Sequence, residues 1–160
     1  IGENILLRRC KSLKAPVVGS YLHSNRRIGV VVGLTGGSSE LARQVAMHVA
    51  AVNPAVVRSE DISESVLAAE KEIYLAQARD SGKPEAIVQK MVAGRVAKFL
   101  KESSLIDQPF VKDPDKTIGQ LVAEANSDVT TFIRFEVGEG IIKEEVDFAT
   151  EVAAQIEKIV

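Results

Sequence analysis

His23 and His48 are the two histidines of this chain and Cys10 is its one cysteine. Any neutral-pH base, metal cage or thiol nucleophile must therefore come from these three side chains and from carboxylates. Their settings do not favour such chemistry. His48 lies among Ala46, Met47, Val49 and Ala50 in a helical pattern and reads as a structural or half-buried ring. His23 ends a strand beside a turn, on the face that carries Tyr21, and reads as an exposed ring. A transition-metal site needs more ligands, more closely clustered. Cys10 follows Arg8 and Arg9, which would favour a reactive thiolate. A lone cysteine in a short strand nevertheless reads more simply as a small core or edge residue. It can form no internal disulfide, which points to a reducing, cytoplasmic setting.

Nor do the remaining motifs build a catalytic centre. No Gly-x-Ser-x-Gly elbow is present. Gly36-Gly37-Ser38 joins a strand to a helix and could offer backbone N–H groups to a phosphate. It has neither the dinucleotide nor the P-loop spacing, so it reads as a plain turn. Glu136, Glu139, Glu144 and Glu145 surround Gly138 and Gly140 as an acidic surface, and a chain with 4% aromatic residues and no tryptophan offers no sugar platform. An enzyme built on Cys10 or on these glutamates lacks the geometry. The expectation is no catalytic residue, no cofactor and no metal: a binding protein rather than an enzyme.

The basic residues gather as Arg8-Arg9-Cys10-Lys11 and Arg26-Arg27. Twenty basic against 22 acidic side chains leave a net charge of −2. That balance disfavours bulk attraction to a nucleic acid, and the absence of interleaved aromatics disfavours a single-strand platform. No direct nucleic-acid contact is expected, and an acidic protein surface suits these spots as well as RNA does. An RNA-contacting domain using Arg8, Arg9, Arg26 and Arg27 stands as one alternative function, and a structural or dimerising module without other activity as another.

The elements that must position these residues follow from periodicity. A chain of 160 residues, 46% apolar and 26% charged, has the composition of one globular domain, with or without a small insertion. No apolar run approaches the ~20 residues of a membrane span. The first residues, Ile1-Gly2-Glu3-Asn4, lack a signal-peptide pattern, and a chain beginning at Ile1 is expected to be a piece of a longer one. Strands are predicted over 4–10, 17–23, 28–34 and 129–137, with a hairpin turn at Ser24-Asn25-Arg26-Arg27. Ser38 or Ser39 caps a helix running to Val52, with Leu41, Val45, Val49 and Val52 as its stripe and Asn53-Pro54 as its stop.

From Ile62 the apolar residues Ile62, Val66, Ala69, Ile73 and Ala76 alternate in steps of four and three, a narrow coiled-coil-like seam. Ser81-Gly82-Lys83-Pro84 then breaks the chain. Val88, Val92, Val96 and Phe99 follow, with Ile87 and Met91 beside them. Two narrow-stripe helices about a tight turn predict a projecting hairpin. Thr117 to Ala125 reads as a helix with Ile118, Leu121, Val122 and Ala125 inward. A last helix from Glu145 to Ile159 would carry Phe148, Val152, Ile156 and Ile159. The predicted class is α+β: a small antiparallel sheet with packed helices and an inserted helical coiled-coil hairpin.

Several segments, taken in order, resemble the bacterial elongation factor Ts family. They are Ile1-Gly2-Glu3-Asn4-Ile5 with Arg8-Arg9; Gly19-Ser20-Tyr21-Leu22-His23 with Arg27-Ile28-Gly29-Val30; and Ala46-Met47-His48-Val49-Ala50-Ala51. Then come Ser81-Gly82-Lys83-Pro84 with Lys90-Met91-Val92-Ala93-Gly94-Arg95, then Gln108-Pro109-Phe110-Val111, and finally Phe132 to Gly140. The ordered set spans essentially the whole chain. The resemblance implies a cytoplasmic guanine nucleotide exchange factor of translation. It would bind the GTPase elongation factor Tu, promote GDP release, and itself make or break no bond. It also implies residues 1–16 as the tail of one core half, and 17–55 with 105–145 as the other. Residues 56–104 become a coiled-coil dimerisation arm with a possible homodimer, and 146–160 a C-terminal helix.

Residues matching the family's partner contacts are Ile1 and Gly2, toward the GTPase domain, and His23, toward a β-barrel domain. Val111 and Gln155 match positions near the same surface, although Gln155 departs from the expected residue type. The family's N-terminal helical module and its Thr-Asp-Phe-Val wedge do not occur in these 160 residues. A fragment of reduced activity is therefore expected.

Overall fold

The computed structural model describes residues 7–80 and 82–140. β1 (Val17–Leu22) and β2 (Ile28–Leu34) pair antiparallel, Val17 opposite Leu34 and Leu22 opposite Gly29. The period of two in β2 sends Val30, Val32 and Leu34 into the core. α1 (Ser39–Val52) follows the glycine turn. Gly37 takes φ +80°, and Ser38 Oγ accepts the Leu41 N–H at 3.1 Å, so the loop is a turn and N-cap as the sequence indicates. Asn53, in the left-handed region, ends the helix. Its buried face is Ala42, Val45, Ala46, His48, Val49 and Ala50. Val52, expected in that stripe, is exposed instead. Small residues dominate this face, which lets α1 lie almost against the main chain of β1 at Gly19.

The excursion beyond α1 comprises a single 3-10 turn (Ser59–Asp61), α2 (Glu64–Arg79) and α3 (Glu85–Ser103). Ser63 caps α2 and Pro84 stands at the N-cap of α3. The two helices pack through Ala78, Val88 and Val92, with Tyr74, Leu75 and Val96 around them. The α3 stripe is as read from the sequence at Val88, Val92 and Val96 but not at Phe99, which is outside this cluster, and the α2 stripe is not. Val66 and Ile73 are 47% and 48% exposed, and Ala69 and Ala76 are exposed too. α2 carries two apolar stripes about half a turn apart, and the hairpin uses the less regular one.

The root of this excursion is a short zipper. Val56 and Ser104 form a parallel bridge. Ala55 N–H donates to Ser103 O at 3.0 Å, Leu105 N–H to Val56 O at 3.0 Å and Ile106 N–H to Val57 O at 3.2 Å. Arg58 bonds the Asp128 carboxylate and the Val129 carbonyl, fastening the root to the next strand of the sheet.

β3 (Pro109–Phe110) and β4 (Asp113–Thr117) form a two-stranded ladder that the sequence did not announce. Asp-Pro-Asp-Lys has little strand propensity. α4 (Ile118–Glu124) starts from a capping box between Thr117 and Gln120. Ile118 and Val122 are buried, while Ala125, expected inward, is exposed. β5 (Val129–Glu136) pairs antiparallel with β2, completing the order β1-β2-β5. The fold is α+β, a small antiparallel sheet with helices packed on it. Val30, Val32, Leu34, Val45, Val49, Leu105, Ile118, Val122 and Val129 share its main core.

The opposite face of the sheet is crossed by residues 7–16. A methyl on Gly33 would come within 2.7 Å of Ala15 Cβ and 2.9 Å of Leu13 Cδ2. The predicted strand over 4–10 is not formed at 7–10, where the chain is irregular, and 4–6 lie outside the described residues. Cys10, expected in a core or edge, is exposed. The predicted helix from Glu145 to Ile159 lies outside the described residues. No helix among the described residues is long and apolar enough to cross a membrane.

Candidate functional site

His23 sits where β1 turns into β2. Its N–H donates to Ile28 O at 2.9 Å and its carbonyl accepts the Arg26 N–H at 2.8 Å. Asn25 Oδ1 accepts the Arg27 N–H, and Arg26 adopts φ +56°. This turn fixes the ring's place. The ring is half-buried rather than fully exposed, because Tyr21 leans against it: Nδ1 lies 3.3 Å from the tyrosine hydroxyl and the rings are tilted at 6.1 Å. A ring accepting that O–H at Nδ1 carries its own hydrogen at Nε2.

Val111 lies between β3 and β4 with 43% of its surface exposed. Its backbone is anchored from beneath. The Val111 N–H reaches His48 Nδ1 in a long contact of 3.4 Å, and His48 Nε2 donates to Gln108 Oε1 at 2.9 Å. Gln108 Nε2 then donates to the Glu102 carbonyl in the last turn of α3 at 2.6 Å. His48 has no exposed surface. Burial, opposed only by the Gln108 bond, holds its pKa below the usual histidine value. The ring is therefore structural, in keeping with its sequence setting. Its partners were not legible from the sequence, although a polar ring on an inward helix face had to find some.

Tyr21 and Lys112 line one hollow of about 80 Å³ against Glu40, Arg43, Gln44 and Met47 of α1. The stretches carrying His23 and Val111 thus reach the same side of the body, across the outward face of α1. Ile1, Gly2 and Gln155 lie outside the described residues. Met47 and Lys112, which line this hollow, are not among the candidate residues named from the sequence. The exposed side of an amphipathic helix between two candidate residues was the available signal. Beyond Val111, a second hollow of about 690 Å³ is floored by Val52, Pro109, Phe110 and Pro114 and edged by Lys98 and Lys101.

The two basic spots meet elsewhere. Arg8 donates to the Glu139 carbonyl at 3.2 Å, Arg9 pairs with the Glu139 carboxylate at 2.8 Å and stacks 4.8 Å over Phe135, and Arg27 reaches the Val137 carbonyl at 3.5 Å. They brace the turn after β5. Glu136 is taken up by Arg134 at 2.7 Å. Among the described residues no three His, Cys, Asp or Glu side chains are placed to hold a metal.

The family model described as "Elongation factor TS" matches residues 1–139. The chain is 59% identical over 156 residues to "Elongation factor Ts" of Hahella chejuensis, covering 98% of this chain and 54% of that protein. It is 58% identical over 154 residues to that of Marinobacter nauticus, covering 96% and 53%. It is 59% identical over 158 residues to that of Saccharophagus degradans, covering 98% and 54%. The chain spans about half the length of the curated relatives it matches.

Proposed function

The chain belongs to the elongation factor Ts family of translation factors, and on that footing we propose that it acts as a guanine nucleotide exchange factor, binding elongation factor Tu and promoting GDP release. The observation that carries this is the likeness itself, continuous from residue 1 to 139 through sheet, hairpin and root. The chemistry required is linkage. A partner that prefers the nucleotide-free GTPase weakens nucleotide binding by the factor by which nucleotide weakens partner binding. Such a factor needs a contact surface and no bond-making residues.

In this reading His23 and Val111 touch the GTPase from the side of the body that α1 shares, Tyr21 holds the His23 ring, and Lys112 extends the surface. Ile1, Gly2 and Gln155 complete it. Residues 17–55 and 105–145 act as the core half that presents this surface, with 1–16 as the tail of the other and 146–160 as the end helix. The 160-residue chain binds and exchanges less well than a full-length relative, because it contains no Thr-Asp-Phe-Val sequence.

The test is release of a fluorescent GDP analogue from elongation factor Tu while this chain is titrated in. Acceleration that saturates with concentration, and weakens about tenfold in His23→Ala without loss of folding, is the expected result. No acceleration and no binding by calorimetry would overturn the proposal. A dissociation constant equal to that of a full-length relative would remove the reduced-activity component.

The exposed stripe of Val66 and Ile73 favours a second reading for residues 56–104, a dimerising arm. Sedimentation that shows a dimer, lost when this segment is deleted, would support that reading, and a monomer at all concentrations would remove it.

A further inference from the structure

The His48–Gln108–Val111 chain of bonds ties α1 to one stretch of chain 60 to 63 residues further on. α1 supplies the ring, the segment between α3 and β3 supplies Gln108, and the β3–β4 turn supplies the Val111 N–H. The amide of Gln108 then passes the connection to the last turn of α3, at the root of the hairpin. We propose that His48 is a positioning residue: as a neutral ring with its hydrogen on Nε2 it clamps the Val111 turn to the end of α3, so that the hairpin root and the Val111 surface are held in one fixed relation.

The donor and acceptor inventory allows one arrangement. Gln108 Nε2 is committed as donor to the Glu102 carbonyl, so Gln108 Oε1 must accept and His48 Nε2 must donate. Nδ1 is then a bare acceptor, and the Val111 N–H is the group aimed at it. Protonating the ring places a second N–H against the Val111 N–H and leaves a cation in the core. The charged side chains on the surrounding elements are Glu40 and Arg43 on α1, Lys98, Lys101 and Glu102 on α3, Asp107 before β3, and Lys112 and Asp113 after it. All are exposed except Asp107, which is half-buried. Burial and the Gln108 bond are the causes acting on the ring, so no carboxylate is in place to compensate the charge. The same ring that closes the clamp at neutral pH opens it under acid. The consequence for partner binding rests on the proposed role of Val111, but the clamp itself does not.

The experiment uses the 160-residue chain alone. Ring-nitrogen NMR at pH 7 should show His48 protonated at Nε2 and bare at Nδ1. On titration, the Val111 amide and the Gln108 side-chain amide should shift with the His48 ring at one common midpoint below 6.5. In Gln108→Leu the ring loses its Nε2 acceptor, and Val111 amide exchange should quicken about tenfold, the loss of one buried hydrogen bond. Gln108→Glu, which restores an acceptor, should raise the His48 midpoint. A ring titrating at or above 6.5, a hydrogen on Nδ1, or a Val111 amide indifferent to the titration would overturn the proposal. The wild-type titration decides the matter even where a variant fails to fold. Because no GTPase is present, failure of the clamp and failure of the exchange reading are separately visible.

Discussion

Replacing Gly19 by alanine should unseat α1. A Cβ at this position of β1 would stand 2.4 Å from the Arg43 nitrogen, 2.5 Å from the Ala42 carbonyl carbon and 2.6 Å from Ala42 Cβ. Carbon atoms settle at about 3.5–4.0 Å, so α1 must retreat by about 1 Å. Two of the three obstacles are helix main chain, which no rotamer change can move. The retreat is opposed by the packing of Val45, Ala46 and Val49 over the sheet. Overpacking costs about 1–3 kcal/mol, and a backbone obstacle places this one near the upper end, ~3 kcal/mol. At about 2–4 °C per kcal/mol for a chain of this size, the melting temperature should fall by roughly 6–12 °C. Gly29→Ala is the control, because nothing lies within 4 Å of its Cβ. It should leave the melting temperature unchanged or raise it slightly. Adding Ala42→Gly to Gly19→Ala should rescue little, since the two main-chain obstacles remain and a helical glycine costs about 1 kcal/mol itself. Thermal unfolding by circular dichroism reads all four proteins. A Gly19→Ala melting point within about 2 °C of the parent, or full rescue by Ala42→Gly, would refute the close-packing argument.

Val92→Ala removes two buried carbons from the small hairpin core, a loss of about 2 kcal/mol. Amide exchange should quicken in α2 and α3 while β2 and β5 stay protected; uniform loosening would mean that hairpin and body unfold as one. Val66→Glu with Ile73→Glu should leave stability within about 0.5 kcal/mol, and a loss above about 2 kcal/mol would put that stripe back inside the hairpin. Stability should also depend on His48. Its folded pKa lies below the unfolded value, so its contribution is complete above pH 6.5 and is lost as pH falls through the lowered value. Urea midpoints taken from pH 7.5 downward should decline over that window. A component of the same size surviving in His48→Phe would have another source.

What the sequence disclosed was whatever local rules decide. β2, with alternating Ile28, Val30, Val32 and Leu34, and α1, opened by Ser38 and closed by Asn53, were legible because period and caps act on neighbours. The Ser81 to Pro84 break was legible for the same reason. The ladder of β3 and β4 was not, because Asp113 to Lys116 enters a strand through its pairing and against its propensity. Residues 7–10 misled in the opposite direction: an apolar start suggested a strand, while Arg8 and Arg9 hold that stretch to Glu139 by side chains. At the candidate surface His23 was placed correctly beside Tyr21, but its half-burial comes from a contact that alternation alone does not weigh. The His48 clamp joins residues 60 and 63 positions apart, a separation no local pattern reports.

The two stripes of α2 show how a regular pattern can point away from the core. A heptad-like spacing says that a row of side chains can meet a partner helix, but not which partner. In this hairpin α3 meets the row that includes Tyr74, Leu75 and Ala78. The cleaner row of Val66, Ala69, Ile73 and Ala76 faces outward. A helix with one partner has no need of a second apolar row, and exposed apolar rows on monomeric proteins are short. The hairpin's own core is also slight, three buried residues among those described against the larger body cluster. Its orientation must therefore be set at the root, by the Val56–Ser104 bridge, Arg58 and the Gln108–Glu102 bond. A disturbance at those bonds should alter where the outward row points before it alters whether the helices form.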